Sequence, residues 1–316
     1  MAQRRPSDSP DPVAAVLEAH AVGDDVVVGT SGTTTSAREV VRSTASWWSS
    51  FDGYTALSGV SQGARVWLPG PLAATMNLFA AVHARVMGAE LVDCPDEATH
   101  ACVTPTVLSR RGGELPGGSR VVVAGDGLSP AQYASAVDLD VVHYYGAAEL
   151  SFVACGPHAG ELRSFPGVES RVVDGEIRVR SPYLARPGSG SMRLVDGWAT
   201  VGDLGRLEGD RLLVLGRPDT VVTGGATVVI ADVEAALAPA AQAPYALVGV
   251  PHPDLGAVLG AVVTDASDRD GLAAHARSHL APAQRPRLWQ VAAELPLTDA
   301  GKVDRAALAE LFGSTT

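Results

Sequence analysis

The chain has 316 residues, 46% of them apolar and 19% charged, enough for one large domain or two unequal ones with a real buried core. Its formal net charge of −11 provides no basic face for a phosphate backbone, so no nucleic-acid partner is expected. The longest apolar stretch, Leu68 to Val92, is broken by His83, Arg85 and Glu90, so no membrane span or membrane partner is expected either.

The opening MAQRRPSDSPDP places two arginines before no apolar run, which reads as a frayed leader and not as a secretory signal. Residues 13–20 (VAAVLEAH) predict a short helix. DDVVVGTSGTTTSAREVV then passes from a β-branched run into a Ser/Thr/Gly loop and a predicted helix from about Ala37, a strand–loop–helix unit. The strand-like runs RVWL, AELVDC, HACVT, RVVVAG and DVVHYY alternate with helical stretches at 73–87, 104–111 and 129–137. That alternation predicts an α/β fold, a mostly parallel sheet with helices on both faces. After Glu149, short strands around Asp-Gly and Gly-Asp turns predict a β-rich subdomain of hairpins. From Asp219 onward the succession of strands and helices predicts a small α+β domain, so the expected domains are 1–217 and 218–316.

Cys94, Cys102 and Cys155 are odd in number and lack CxxC or metal-ligand spacing, which points to buried thiols in a reducing cytoplasm, not to disulfides or zinc. Of 24 basic residues, 23 are Arg, so Lys302 is the only lysine.

The turn Thr30-Ser31-Gly32-Thr33-Thr34-Thr35-Ser36-Ala37-Arg38 offers backbone N–H groups and hydroxyls able to hold a polyphosphate, although on its own such a turn is more often a plain cap. Taken with the motifs that follow it along the chain, it resembles the phosphate loop of the adenylate-forming superfamily, which includes acyl-CoA synthetases. Thr99-His100 with Pro105-Thr106-Val107-Leu108, and the turn Gly125-Asp126-Gly127-Leu128-Ser129, resemble the family's next two segments, the latter on the adenine side. Tyr144-Tyr145-Gly146-Ala147-Ala148-Glu149 is similar to YGxTE, whose aromatic ring stacks on adenine and whose Glu holds Mg²⁺. Gly197-Trp198-Ala199-Thr200-Val201-Gly202-Asp203 resembles GWxxTGD, whose Asp accepts from both ribose hydroxyls. Gly216-Arg217-Pro218-Asp219 looks like the hinge segment, with Arg217 reaching the nucleotide and Asp219 as pivot, and Gly224-Gly225 looks like the wall of the thiol tunnel. Leu295 to Arg305, LPLTDAGKVDR, is similar to the C-terminal loop whose lysine serves adenylation.

The resemblance implies a ligase using ATP, Mg²⁺ and coenzyme A on a small carboxylic acid, with Lys302 and Glu149 catalytic. The acceptor in such a family is the thiol of CoA, a phosphopantetheinyl carrier protein or an amine, and a catalytically decayed nucleotide-binding homologue is a further alternative. Thr35, Ala37 and Arg38 stand where the family has Gly, Pro and Lys. Ala148 and Val201 each replace a Thr, so slower adenylation is expected. The phosphate loop begins at residue 30, which suggests a shortened member, similar to short actinobacterial relatives of o-succinylbenzoate-CoA ligase. An apolar face left open by that shortening would be covered by a homodimer. The family's acid-pocket His is not found in Pro71-Leu72-Ala73-Ala74-Thr75-Met76-Asn77.

Overall fold

The structure, a computed structural model, describes residues 2–29, 39–216, 220–223, 226–252, 255–299 and 301–313. Its contacts divide the chain into two units, Met1–Val214 with Asp299–Lys302, and Leu215–Thr298 with Val303–Thr316. The expected boundary at Arg217 to Asp219 falls just past Val214, on residues outside the described ones.

In the first unit, β1 (Gln3–Arg4), α1 (Pro12–Val22), β2 (Asp25–Gly29) and β3 (Glu39–Ser43) open the chain. Asp11 caps α1 by accepting from Ala14 N at 3.0 Å, Pro12 presets its first turn, and Gly23 at φ 73° ends it. β1 lies parallel to β2, and β2 lies antiparallel to β3, in a three-stranded sheet. The predicted helix from Ala37 is therefore corrected over 39–43, where the chain is a strand. Val27 faces Val41 and Val28 faces Val40. Pairing of β-branched side chains outweighs the helix-forming local pattern there.

After α2 (Thr44–Trp48) and α3 (Phe51–Ser58) come β4 (Arg65–Trp67), α4 (Thr75–Val86), β5 (Glu90–Val92), β6 (His100–Val103), α5 (Pro105–Arg111), β7 (Arg120–Val123), α6 (Pro130–Ser135) and β8 (Asp140–Ala147). The five strands run parallel in the order β5-β4-β6-β7-β8. Alternation of side chains shows what covers them. Cys102 and Val122 join a core with Leu57 of α3 and Phe79 of α4, whereas Ala101, Val103, Val121 and Val123 join one with Leu108 of α5. Helices thus cover both faces, as expected.

β9 (Ser151–Gly156) reverses direction against β8, and β10 (Arg163–Ser164), β11 (Glu169–Val173), β12 (Glu176–Arg180), β13 (Arg193–Val195), β14 (Trp198–Thr200), β15 (Leu204–Glu208) and β16 (Arg211–Gly216) extend the same sheet. Among the described residues that sheet holds 13 strands, in the order β13-β14-β12-β15-β16-β10-β9-β8-β7-β6-β4-β5, with β11 on β12. The β11–β12 turn uses Asp174 and Gly175 at φ 54° and 79°, the left-handed pair that a tight hairpin demands.

The second unit comprises β17 (Thr220–Thr223), β18 (Ala226–Val229), α7 (Ile230–Leu237), β19 (Tyr245–His252), β20 (Gly256–Val263), α8 (Ala266–His279), β21 (Leu288–Val291) and α9 (Arg305–Gly313). Alternating residues of β19 and β20 again serve two cores. Leu247, Leu259 and Ala261 pack with Leu237 and Leu272, and Ala246, Val258 and Val262 pack with Leu308. Among the described residues no helix is long and apolar enough to cross a membrane.

Candidate functional site

A cavity of about 130 Å³ in the first unit lies where the ends of several strands meet the start of α4. β2 ends at Gly29, whose carbonyl accepts from Thr75 Oγ1 at 2.8 Å, and Thr75 opens α4 on the cavity wall. Met76, Asn77 and Phe79 of the same helix also line it. Thr104, which caps α5 by accepting from Val107 N, contributes from the end of β6. Trp47 of α2, Tyr144 of β8 and Phe152 of β9 supply aromatic wall, with Trp47 and Phe79 edge to face at 5.5 Å and Tyr144 4.7 Å from Phe152.

The turn after β7 approaches the same space. Gly125, at φ 87°, lines the cavity, and a Cβ there would stand 3.5 Å from Thr104 and 3.7 Å from Lys302 Cε. Asp126 Oδ1 accepts from Gly127 N at 2.8 Å, and both residues are exposed beyond the cavity wall. Ser129 and Gln132 then close a reciprocal capping box on α6. Lys302 lines the cavity from the segment Asp299–Lys302, which groups with this unit. Its neighbour Gly301, at φ 75°, passes so near Thr104 that a Cβ would stand 2.7 Å from Oγ1.

β8 carries the next group of predicted residues. Tyr144, Gly146, Ala147 and Ala148 line the cavity. A register shift between Tyr145 and Gly146 bulges the strand, and a Cβ on Gly146 would fall 2.1 Å from Ser151 O, so only glycine fits. Tyr145 donates its phenol to Asp203 Oδ2 at 2.7 Å. Two predicted nucleotide residues from distant motifs are thereby brought together, with Asp203 buried at the end of the β14 turn. Tyr144 is a wall residue whose phenol burial pushes well above the ordinary range.

Arg42, on β3, is a cavity residue that motif reading missed. It is 1% exposed and donates from Nη1 to Ala148 O and from Nη2 to Ser151 Oγ and Tyr183 O, each at 2.6 Å, and to Ser46 Oγ at 3.1 Å. Its Nε–H has no acceptor among the described residues. Burial pulls the guanidinium down to about 9, against the opposing pull of Glu149. It therefore remains charged at neutral pH. A signal was present: Val40 and Arg42 occupy the same face of a period-2 strand, so a charge sits at an inward position. Trp47 and Thr104 were likewise missed, since neither belongs to a motif that names them.

Glu149, expected to hold Mg²⁺, is 1% exposed and is not among the cavity residues. Its Oε1 accepts from Ser191 N at 2.9 Å and Ser191 Oγ at 2.8 Å, and Gly190 approaches so closely that a Cβ would stand 2.5 Å from the same oxygen. Mg²⁺ in a nucleotide site takes one or two carboxylates and completes its shell with water and substrate phosphate; among the described residues Glu149 would offer that carboxylate, with Oε1 already held by Ser191. Thr30, Ser31, Gly32, Thr33, Thr34, Arg38, Arg217, Asp219, Gly224 and Gly225 lie outside the described residues.

The AMP-binding enzyme C-terminal domain family matches residues 232–302. YhfT, an uncharacterised acyl-CoA ligase of Bacillus subtilis (strain 168), is 26% identical over 319 aligned residues, which cover 88% of this chain and 66% of that protein. Feruloyl-CoA synthase of an Amycolatopsis species is 33% identical over 156 residues, covering 47% of this chain and 32% of that protein. The chain thus spans less than two thirds of the length of these curated relatives. Among solved structures, ATP-bound MatB from Rhodopseudomonas palustris matches with a TM-score of 0.74 at 21% identity, over 91% of this chain and 68% of that one. A sheet with helices on both faces, followed by a small α+β unit that the C-terminal family matches, agrees with this likeness along most of the chain, which shares the fold of these adenylate-forming enzymes and carries the AMP-binding enzyme C-terminal domain over residues 232–302.

Proposed function

We propose that the chain activates a small carboxylic acid with ATP as an acyl-adenylate and passes the acyl group to the thiol of coenzyme A. The observation that carries this reading is Lys302, the chain's only lysine, lining a small aromatic-walled cavity beside Gly125 and Tyr144. A cavity near 150 Å³ holds one benzene-sized group, so about 130 Å³ suits a small acid. One carboxylate oxygen attacks the α-phosphorus while the bond to the bridging oxygen breaks and pyrophosphate leaves. Lys302 serves as a compact ammonium against the charge on the attacking and non-bridging oxygens. Asp203 takes the ribose hydroxyls, Tyr145 and the Gly125-Asp126-Gly127 turn flank adenine, and Thr30 to Thr34 with Arg38 and Arg217 hold the phosphates. Asp219 acts as pivot, and Gly224-Gly225 borders the thiol.

The test is acid-dependent pyrophosphate release from pure protein, followed by CoA-dependent release of AMP. Lys302→Ala should cut the first step by about 10²–10³, the usual cost of one charge-stabilising donor, and leave transfer from a supplied acyl-adenylate intact. No pyrophosphate with any acid sinks the reading. The Glu149 carboxylate held by Ser191, and the missing hydroxyl at Ala148, favour a second reading of nucleotide binding without turnover. Calorimetry showing tight AMP binding with no turnover would select it.

A further inference from the structure

Tyr145 meets Asp203 across 58 residues of chain, its phenol donating to Oδ2 at 2.7 Å. The backbone at both ends of this bond is fixed independently of it. Tyr145 pairs with Ala154 on β9 just before the strand bulges at Gly146. Asp203 follows Gly202, whose φ of 84° and whose N–H, donating to Thr200 Oγ1 at 3.1 Å, set the turn. The Asp203 carbonyl in turn accepts from Ile177 N of β12 at 2.9 Å. The side-chain torsions of Asp203 remain, and the last of them, which turns the carboxylate plane, has a broad profile of its own. A carboxylate that accepts from two neighbouring hydroxyls at once needs that plane held. The phenol holds it. A carboxylate offers about four acceptor sites, so one bond to a phenol is compatible with two more to a ribose. Asp203 is 8% exposed, so water competes weakly for the phenol bond.

We propose that Tyr145 is the positioning residue for ribose, its phenol fixing the Asp203 carboxylate in the orientation that accepts from both sugar hydroxyls. This rests on the reading of Asp203 as the ribose acceptor, and it adds how base and sugar recognition are joined. One side chain presents its ring to adenine and its oxygen to the group that binds the sugar. The two roles are separable, since a phenylalanine keeps the face and loses the donor. Without the donor the carboxylate plane turns, and the loss falls on ligands that carry the hydroxyls. Ligands without them never used that orientation.

The experiment titrates wild type and Tyr145→Phe calorimetrically with AMP and with 2′,3′-dideoxy-AMP, in the absence of acid and CoA. Wild type is expected to bind AMP at least about tenfold tighter than the dideoxy nucleotide, the margin that hydrogen bonds to a charged group supply. Tyr145→Phe should bind the dideoxy nucleotide within about twofold of wild type and keep a margin for AMP of about threefold or less. Asp203→Asn should show the same narrowed margin, and the double variant should lose nothing further, because the two side chains act as one unit. Equal loss of affinity for both nucleotides in Tyr145→Phe overturns the proposal, since it would reduce the phenol to a support for the fold or the base. A Tyr145→Phe variant that keeps the full AMP margin overturns it too. Wild type that binds AMP with the expected margin and releases no pyrophosphate with any acid sinks adenylation while upholding the positioning role. Wild type with no AMP margin overturns that role whatever the turnover. If Tyr145→Phe does not fold, Tyr145→Trp, which also keeps an aromatic face and lacks the hydroxyl, decides by the same comparison.

Discussion

His83 sits fully buried in α4 among the rings of Phe51, Tyr54 and Phe79, with Nε2 2.8 Å from Thr55 Oγ1 and Nδ1 without a partner among the described residues. Burial holds its pKa down at about 4. Between about pH 6.5 and 4 the unfolded chain therefore binds a proton that the folded chain refuses. The contribution is present in full above 6.5 and is lost as pH falls toward 4, a loss of about 2–3 kcal/mol between pH 7 and 4.5. The pH dependence of denaturant unfolding should flatten by about that amount in His83→Gln. An unchanged slope would place the acid sensitivity elsewhere. At this scale, the residues legible in the sequence were those with a motif around them. Asp203, Tyr145, Gly125 and Lys302 were named by their neighbours, and the structure brings the first two into hydrogen bond and lines the cavity with the other two. Arg42 had no such neighbours. Its place on the cavity wall follows from how β3 packs, which needs the third dimension.

The elements were legible where an apolar run and its turns agreed, as in β6, β7, β8 and the helices between them. They were not legible where pairing across distance decided. Ala37-Arg38-Glu39 read as the start of a helix, but Val40 and Val41 have partners in β2 that no local window contains. The bulge of β8 was equally hidden, since it depends on how Gly146 meets Ser151 on the next strand. Gly146→Ala should cost about 2–4 kcal/mol and most of the activity, because the added methyl meets backbone and cannot be relieved by a rotamer change. Gly113→Ala, where a Cβ meets nothing within 4 Å, should change stability by under about 1 kcal/mol. Equal losses in the two would mean that the strand tolerates the register change. The cap of α6 gives a milder case: Ser129→Ala should lower stability by about 1 kcal/mol in thermal unfolding.

Each of the two units has its own cores, so damage to one core should stay within its unit. Leu272 is completely buried in the second unit. Leu272→Ala should remove about 2–5 kcal/mol from that unit, seen as faster amide exchange in β19, β20 and α8, with β6 to β8 keeping wild-type protection. A uniform loss across the chain would show a single cooperative body. The two-unit plan was legible from the change of pattern after Glu149 and again near Asp219, but the grouping of Asp299–Lys302 with the first unit was not, because a return of four residues leaves no mark on composition. That return also gives the protein an analytical handle. With one ε-amine in the whole chain, an endoprotease specific for lysine has a single bond to cut, after Lys302, and an amine-directed reagent has a single side chain to tag. Since that side chain lines the cavity, a molecule filling the space should slow both reactions. The fraction of intact or untagged chain then counts occupied cavities directly, for any candidate ligand and without an assay for turnover.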